Sequence, residues 1–382
     1  MRVAFVAGAI EYSVCLANAL TKHCDVDFFY RGAYARERDA SILTLLDSAI
    51  RQIEINDRRL SDGRNFGDYR RAARRFAAHD VVHLVNPNFW FSLNRDVYRK
   101  VPVVCTVHDP VQHEGTPLAG RLFEEFAQRA SVAQSRIVIV HGEKLKATLA
   151  AQSRLPADRI AVIPHGELSF YRRMAKAGSA PSDRQGKQLL FFGEVRKNKG
   201  LDYLIRAEPS ISAGYSDYSI LVAGKFRDEP GNNLGYYRSL IGDPSRFSFM
   251  DRFIANDEVA GIFEACDIVV LPYTSASQSG ILALAFGFGK PVIATDTGSL
   301  GEVLEHGRTG LLIPPRDERA LAEAVLRLLR NDAERLELGR NAEEAARGPL
   351  SWDTIATQTL AVYTRAIGSS RPRTSRPPAA AR

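Results

Sequence analysis

Two cations in one short turn are the first residues of this sequence whose types and spacing could carry out chemistry. The segment FFGEVRKNKG (191–200) joins an apolar strand pattern that ends at Gly193 to a helix pattern that begins at Gly200, so Arg196 and Lys199 lie in a strand-to-helix turn. Fixed positive charge beside the free N–H groups of a helix start suits a phosphate or diphosphate. A solvent-exposed basic turn is the competing interpretation of this segment alone.

A second anion site is indicated in the segment SASQSGILALAFGFGKPV (275–292). Four small or polar residues, Ser277 to Gly280, precede an apolar helix pattern there. The N–H groups at such a helix start are open to a phosphate. Serine and glutamine are also ordinary capping residues, so a plain helix cap is the alternative.

One histidine is placed where ligands bind in parallel-sheet proteins. His108 directly follows the strand pattern VPVVCTV and is followed by Asp109. Because the carboxyl ends of parallel strands form the ligand cleft, we expect His108 to project into it. A purely structural buried histidine is the alternative. His113 lies in the next loop, and His141 and His165 end later strands, so one or two of these are expected to line the same cleft.

Several enzyme classes are excluded by the absence of their motifs. The turn AGAIEYS (7–13) lacks the three-glycine G-x-G-x-x-G pattern, which disfavours a nicotinamide dehydrogenase. The sequence contains no G-x-x-x-x-G-K-[ST] loop, no G-x-S-x-G elbow and no H-E-x-x-H pair. These absences remove the P-loop, α/β-hydrolase and zincin interpretations.

The elements that must position these residues fall into two halves with the same pattern. Short apolar runs alternate with helix-length polar or mixed segments, which indicates parallel sheets covered on both faces. The sequence therefore predicts an α/β fold of two doubly wound, Rossmann-like domains. The predicted strands are 2–8, 25–30, 80–85, 101–107, 136–140 and 161–164 in the first half, and 188–193, 219–224, 247–250, 268–273, 291–296 and 310–314 in the second.

Composition changes divide the chain further. Residues 171–187 lose apolar periodicity and gain Gly, Ser, Pro and charge, which predicts a linker between a first domain at 1–170 and a second at 188–349. Residues 350–368 have the pattern of a final helix, and 369–382 are too poor in apolar residues to fold. The last segment is predicted to be a disordered basic tail.

The composition is that of an ordinary globular protein. The 382 residues are 45% hydrophobic and 25% charged, with a formal net charge of +7 that is concentrated in the predicted linker and tail and gives no argument for nucleic-acid binding. The four cysteines form no Cys-x-x-Cys pair and are interpreted as buried free thiols, and no metal site is predicted. The N-terminus lacks a signal-peptide pattern, and the longest uncharged apolar stretch, 280–289, is about half the ~20 residues of a membrane span.

In their order and spacing, these motifs resemble the retaining, nucleotide-sugar-dependent glycosyltransferases of family 4. That family has the GT-B fold of two facing Rossmann-like domains, and the resemblance covers about residues 1–368. It implies that helix 350–368 crosses back to pack on the first domain. The motifs that carry it are GAIEYSVCLANAL (8–20), TVHDP (106–110), HGEKLK (141–146), IPHGE (163–167), FFGEVRKNKG (191–200), ACDIVVLPY (265–273), SGILALAFGFGKPVIATDTGSLGEV (279–303), HGRTGLLIPPRDERALAEAV (306–325) and the Ser-Trp pair of the terminal helix.

The resemblance implies a role for each matching residue. Arg196 and Lys199 would hold the donor diphosphate, and His108 would hydrogen-bond the transferred sugar, so these three are the expected catalytic residues. Asp109 and His113 are expected on the acceptor side. The expected donor-binding residues, beyond Arg196 and Lys199, are Gly8 and Ala9 in the first domain, Arg252, Phe253 and Ile254 around the base, and Gln278, Ser279, Gly280, Ile281, Leu282 and Glu302 in the second domain.

Two departures from the family pattern bear on these assignments. Glu194 stands where the family usually has its phosphate-binding arginine, and the role is therefore transferred to Arg196. The usual pair of glutamates falls at Ala276 and Leu284, which carry no carboxylate. Glu302 and Gln278 are the candidates to replace that pair in part, so the resemblance is to a subgroup that lacks it.

The implied reaction is transfer of a hexosyl group from a nucleoside diphosphate sugar to a hydroxyl of a glycan or lipid-linked saccharide, with retention, in exopolysaccharide or lipopolysaccharide synthesis. No cofactor and no metal are expected, because the nucleotide sugar is a co-substrate. Two alternatives stay open. One is a catalytically inactive GT-B subunit that binds or regulates, and the other is a different GT-B enzyme such as a sugar-nucleotide epimerase.

One segment indicates contact with a membrane surface. RNFGDYRRAARRF (64–76) contains five arginines against one aspartate, with Phe66, Tyr69 and Phe76 interleaved. Such a segment can lie on anionic lipid, and a solvated helix flank is the alternative. We expect a cytoplasmic protein that works at the inner face of the cytoplasmic membrane, with a nucleotide sugar and a saccharide acceptor as partners and no nucleic acid.

Overall fold

The computed structural model describes residues 1–33, 40–58, 62–110, 118–176 and 186–368. His113, most of the predicted linker and the predicted tail at 369–382 lie outside these residues.

The first domain is built on a parallel sheet of seven strands within the described residues, in the order β3-β2-β1-β4-β5-β6-β7. Strand β4 is buried along its whole length, because helices cover both faces of a parallel sheet. The strands are β1 Arg2–Val6, β2 Asp25–Arg31, β3 Arg51–Ile55, β4 Val81–Val85, β5 Val103–Thr106, β6 Ile137–Val140 and β7 Ile160–Val162, and the helices are α1 Ile10–Leu20, α2 Asn65–Arg75, α3 Phe89–Leu93, α4 Leu118–Gln134 and α5 Glu143–Ser153.

Strand β3 is absent from the sequence-based prediction. It is the edge strand of its sheet, and only Ile53 and Ile55 are buried in the run RQIEI. A search for continuous apolar runs does not detect a strand that alternates buried and exposed residues.

The second domain repeats the architecture with six strands in the order β10-β9-β8-β11-β12-β13. Both sheets are parallel, so the prediction of an α/β, GT-B-like fold with two Rossmann-like domains is confirmed. The strands are β8 Lys187–Phe192, β9 Tyr218–Ala223, β10 Phe247–Met250, β11 Ile268–Leu271, β12 Val292–Thr295 and β13 Gly310–Ile313, and the helices are α6 Leu201–Gly214, α7 Leu234–Ser239, α8 Asn256–Ala265, α9 Gly280–Gly287, α10 Leu300–Val303, α11 Glu318–Arg330 and α12 Asp332–Arg347.

Both ends of the predicted linker belong to folded structure. Tyr171 is buried and stacks on Phe170 with ring centroids 4.2 Å apart, and the guanidinium of Arg172 lies 4.6 Å from the ring centroid of Phe288 in the second domain. Lys187 is the first residue of β8. The chain therefore contacts the second domain before the remaining linker residues begin.

The last helix, α13 (Trp352–Gly368), packs on the first domain against α1, β4 and β5. The indole N–H of Trp352 donates to the carbonyl of Glu167 at 2.7 Å. A Cβ at Gly166 would lie 2.6 Å from the Trp352 ring, so this contact requires glycine. The helix crosses from the second domain to the first at this point.

A buried polar chain fixes α13 on the sheet. His83 in β4 lies 2.6 Å from the hydroxyl of Tyr363 through Nδ1 and 2.8 Å from the hydroxyl of Thr106 through Nε2. Burial lowers the pKa of His83 to about 3, so the ring is neutral at pH 7. Each of its nitrogens thus has a hydroxyl partner, as a buried imidazole requires.

No helix within the described ranges is both long enough and apolar enough to cross a membrane.

Candidate active site

The point where strand order reverses in the first sheet lies between β1 and β4. The predicted donor-side residues Gly8 and Ala9 connect β1 to α1 there. A Cβ at Gly8 would lie 1.7 Å from the carbonyl oxygen of Val85, so no other residue fits at this position. The turn after β1 therefore packs directly against the end of β4, at the point of strand reversal where ligands bind in this class of fold.

Three histidines meet at the carboxyl edge of the first sheet. His108, His141 and His165 follow the consecutive strands β5, β6 and β7, and their ring centroids are 4.6 to 6.0 Å apart. The ring of Tyr12 from α1 lies 4.9 to 5.4 Å from all three. Trp352 of α13 packs edge-on against Tyr12 at 5.2 Å. The crossover helix therefore completes the cluster.

Backbone carbonyls orient two of these rings. His141 Nδ1 lies 2.9 Å from the carbonyl oxygen of Ile163, and His165 Nδ1 lies 2.7 Å from that of Gly166. The other nitrogen of His141 lies 2.9 Å from Nδ1 of His108. Nε2 of His108 is buried and has no hydrogen-bond partner among the described residues.

The histidine cluster is uncharged at neutral pH. Burial, together with the neighbouring histidines, lowers the pKa of His108 well below its ordinary value and that of His141 to about 3. Burial lowers the pKa of His165 to about 4. These three rings therefore present hydrogen-bonding groups without positive charge.

The second domain presents two joined loops at its own point of strand reversal, between β8 and β11. The N–H of Thr274 donates to the carbonyl of Asn198 at 2.9 Å, and the Asn198 amide donates to the carbonyl of Ser275 at 3.0 Å. A Cβ at Gly200, where φ is +70°, would lie 1.9 Å from the Pro272 carbonyl oxygen. The loop after β8 and the loop after β11 thus form one surface.

Lys199 lies on this surface as an available cation. Its ammonium is 3.8 Å from the ring centroid of Tyr273, and it has no carboxylate partner among the described residues. The Tyr273 hydroxyl lies 3.3 Å from Oγ of Ser279, the N-cap of α9. One tyrosine therefore joins the cation to the start of that helix.

The start of α9 keeps N–H groups for an external acceptor. Ser279 Oγ accepts from the N–H of Leu282 at 3.3 Å, which leaves the N–H groups of Gly280 and Ile281. The side-chain oxygen of Gln278 is buried without a partner among the described residues. The predicted donor-side residues of this segment therefore lie together at one helix start.

Arg196 is held by a carboxylate. Its guanidinium donates twice to Glu194, at 2.9 and 2.6 Å, and Arg227 donates to the other oxygen of Glu194 at 2.6 Å. Burial raises the pKa of Glu194, but these hydrogen bonds outweigh it and the pKa is lowered. Part of the charge of Arg196 is thus neutralised, and its role toward a diphosphate stays a prediction.

The two domains meet at this site. One narrow cavity is lined by His141 and His165 from the first domain and by Gln278, Ser279 and Ser299, among others, from the second. His141 and His165 therefore face the start of α9 across the domain interface.

Glu302 joins the domains beside the cavity. Its carboxylate accepts from the N–H groups of Glu143 at 2.5 Å and Lys144 at 2.9 Å, at the start of α5. Ser299 Oγ donates to the same carboxylate at 3.2 Å, and the Lys144 ammonium lies 3.1 Å from Asp296. Glu302 thus caps a helix of the first domain, and its predicted contact with a donor stays untested.

The predicted base-binding segment lies at the end of β10. Arg252 pairs with both oxygens of Glu258 at 2.6 Å, Phe253 is 54% exposed and Ile254 is buried. The guanidinium of Arg252 is therefore already paired with a carboxylate of the protein.

Family models match the two domains separately. The model described as Glycosyltransferase Family 4 matches residues 6–166, which include the histidine cluster. The model described as Glycosyl transferases group 1 matches residues 186–331, which include Lys199 and α9. The chain belongs to the family 4 type of glycosyltransferases.

Two curated relatives of this glycosyltransferase are each 28% identical to it over the residues that match. The D-inositol 3-phosphate glycosyltransferase of Pseudarthrobacter chlorophenolicus is 28% identical over 341 residues, covering 85% of this chain and 76% of the relative. An uncharacterized glycosyltransferase of Methanocaldococcus jannaschii is 28% identical over 245 residues, and the match spans 61% of each chain. The similarity to the first relative extends over both domains.

Solved structures share the two-domain fold. Sucrose-phosphate synthase from Thermosynechococcus elongatus superposes with a TM-score of 0.70 at 19% identity, covering 97% of this chain and all of that one. Anabaena HepE in complex with UDP-glucose gives 0.70 at 18%, covering 96% and 100%. UDP-GlcNAc 2-epimerase from Neisseria meningitidis, bound to UDP-GlcNAc, gives 0.63 at 15%, with the same coverage.

Some residues of the site have no assigned role in the sequence analysis. His141 and His165 carry the same signal as His108, since each directly follows an apolar strand run. Tyr12, Trp352 and Arg227 have no such signal, because tertiary contacts alone bring them to the site. The glycosyltransferase therefore builds the aromatic part of its site from α1 and α13.

The neutral histidines make stability depend on pH. The unfolded chain takes up protons below the ordinary histidine pKa of 6.5, whereas folded His165 does so only below about 4. Stability therefore falls as pH is lowered from about 6.5 to 4, by up to about 1.4 kcal/mol per pH unit for each such histidine. Stability measured by urea unfolding should decline less steeply with falling pH in His165→Gln than in the wild type. Equal slopes in the two proteins would contradict a neutral His165.

Proposed function

We propose that this glycosyltransferase moves a hexosyl group from a nucleoside diphosphate sugar to a hydroxyl of a glycan or lipid-linked saccharide, with retention at the anomeric carbon. The observation that carries the proposal is that the carboxyl edges of the two sheets face each other across the domain interface and differ in charge. On the second domain, a helix start suited to phosphate lies opposite the neutral rings of His141 and His165, and Tyr273 joins that helix start to the cation of Lys199. A nucleotide sugar has this division of charge, with an anionic diphosphate and a neutral sugar.

Catalysis in this proposal is electrostatic. Lys199 and the N–H groups of Gly280 and Ile281 stabilise the charge that develops on the departing diphosphate. Arg196 contributes where the diphosphate competes with Glu194 for its guanidinium. The protein's own groups supply this stabilisation, so the proposed reaction needs no divalent metal. A front-face path, in which the leaving phosphate helps to deprotonate the acceptor, needs no carboxylate nucleophile.

The sugar is held by one group from each domain. Nε2 of His108 and the amide oxygen of Gln278 are buried acceptors without partners among the described residues. Sugar hydroxyls are donors that satisfy such atoms. Closure of the domains, held by the contact of Glu302 with the start of α5, excludes water and so limits hydrolysis of the donor.

The relatives support the donor class and leave the acceptor to experiment. HepE is solved with UDP-glucose, and the Pseudarthrobacter relative is named for D-inositol 3-phosphate. We propose a surface or lipid-linked saccharide as acceptor, made in the cytoplasm at the inner face of the membrane. A binding subunit without catalysis, the alternative that the missing glutamate pair raises, would bind the nucleotide tightly without consuming a donor. An epimerase would consume donor without acceptor and without releasing nucleotide.

Replacing Lys199 tests the diphosphate assignment. In Lys199→Ala, acceptor-dependent nucleotide release should fall at least about tenfold, because the leaving group loses its available cation. The assay uses GDP-mannose, UDP-glucose, UDP-galactose, UDP-glucuronate and dTDP-rhamnose with a panel of hydroxyl acceptors. Lys197→Ala is the matched control, since Lys197 is an exposed cation of the same turn and should keep the wild-type rate. Equal rates of nucleotide release for Lys199→Ala and the wild type would contradict the assignment of Lys199 to the diphosphate.

Membrane contact is assigned to the exposed face of α2. Arg74 and Arg75 are exposed at its end, and Phe66 is 41% exposed near its start, whereas Tyr69 and Phe76 are buried in the core. The aromatic side chains of this segment are therefore available to lipid only at Phe66.

Charge reversal at α2 tests this surface. The double variant Arg74→Glu, Arg75→Glu should lose most of its sedimentation with anionic vesicles, because attraction to anionic lipid is about 1 kcal/mol for each basic residue. Vesicles of neutral lipid are the control and should bind little of either protein. Unchanged sedimentation of the double variant with anionic vesicles would contradict the proposed membrane contact.

A further inference from the structure

A backbone carbonyl determines where the protons lie in two neighbouring imidazoles. The carbonyl oxygen of Ile163 can only accept a hydrogen bond, so Nδ1 of His141, 2.9 Å away, carries a proton. In a neutral ring the other nitrogen, Nε2, then has a lone pair. That lone pair faces Nδ1 of His108 at 2.9 Å, which must therefore be the donor. In a neutral His108, Nε2 is left as an acceptor.

The surroundings of the pair favour this neutral arrangement. Tyr12 packs its ring edge-on against His108 and tilted against His141, and His165 lies 5.5 Å from His141. Burial and the neighbouring histidine lower the pKa of His141, while the bond to Ile163 and the carboxylate of Asp109 raise it by less. A cation on either ring would lie beside other imidazoles in a buried space.

The resulting acceptor has no partner within the part of the chain that the structure describes. Nε2 of His108 is buried and receives no hydrogen bond from the described residues. Buried polar atoms are nearly always paired, so an orphaned acceptor on a ring whose partner His141 lines the cavity between the domains is a place for a ligand's donor.

We propose that His141 is a positioning residue, which holds His108 in the tautomer with the proton on Nδ1 so that Nε2 accepts a hydrogen bond from a hydroxyl of the transferred sugar. The inference rests on the proposed function for the identity of that hydroxyl. It adds a selectivity, because a lone pair on Nε2 attracts a hydroxyl and repels a group that can only accept. A donor with fluorine in place of that hydroxyl is therefore a poor substrate.

Two variants of His141 separate positioning from packing. His141→Phe keeps an aromatic ring in the cluster but offers His108 no acceptor. His141→Gln offers an amide oxygen that can accept from Nδ1–H of His108. Thermal unfolding of both variants establishes that each is folded before the measurements are compared.

The tautomer is read directly by two-bond 1H–15N NMR of the full chain labelled with 15N-histidine, with the His108 signals assigned from their loss in His108→Gln. We expect the Nδ1–H form of His108 in the wild type and in His141→Gln. In His141→Phe we expect the Nε2–H form, which a free imidazole prefers. A wild-type His108 that is cationic or protonated on Nε2 overturns the proposal, as does an unchanged His108 in His141→Phe.

Turnover and binding then test the contact with the sugar. With the nucleotide sugar that the wild type consumes, His141→Phe should lower kcat at least tenfold, His141→Gln should recover most of it, and UDP alone should bind all three proteins equally by calorimetry. Equal kcat in His141→Phe and wild type, despite a changed tautomer, overturns the positioning role. A wild type that consumes no nucleotide sugar instead overturns the proposed function and the sugar contact with it, while the NMR result still decides the tautomer.

Discussion

The bond between Glu302 and the first N–H groups of α5 is the contact on which the arrangement of the site depends. Gly142 precedes α5 and offers no side chain to cap it, so a carboxylate from the other domain takes that place. A negative charge at a solvent-exposed helix start contributes about 0.3 to 1 kcal/mol. The contact lies beside the cavity, and it holds the carboxyl edges of the two sheets against each other.

The two edges differ in their chemistry, and each difference follows from local structure. Three parallel strands of the first sheet each end in a histidine, and burial together with mutual proximity keeps the rings neutral. The second sheet places Lys199 one tyrosine away from the start of α9. Charge is therefore available where a phosphate would leave and is absent where a sugar would lie. The net charge of +7 has no part in this arrangement, because local placement decides it.

Sequence patterns predict the architecture well, because a buried parallel strand is a continuous apolar run that is visible in the sequence itself. Strand β3 is missing from the prediction for the converse reason, since it lies at the edge and alternates. His108 and Lys199 are recognisable because each follows a strand. Three contacts cannot be recognised from the sequence: Arg196 pairs with Glu194, Glu302 contacts α5, and Trp352 packs on Tyr12. These contacts join residues whose proximity depends on side-chain placement or on the docking of whole elements, which local patterns do not contain.

A crystal structure of the full chain with UDP-glucose, or with whichever nucleotide sugar it consumes, is the most direct test of a donor site between the two sheet edges. The diphosphate should lie within hydrogen-bond distance of the Lys199 ammonium and of the N–H groups of Gly280 and Ile281, with a sugar hydroxyl at Nε2 of His108. A nucleotide bound away from the loops after β8 and β11, or a sugar that leaves His108 without a partner, would contradict it.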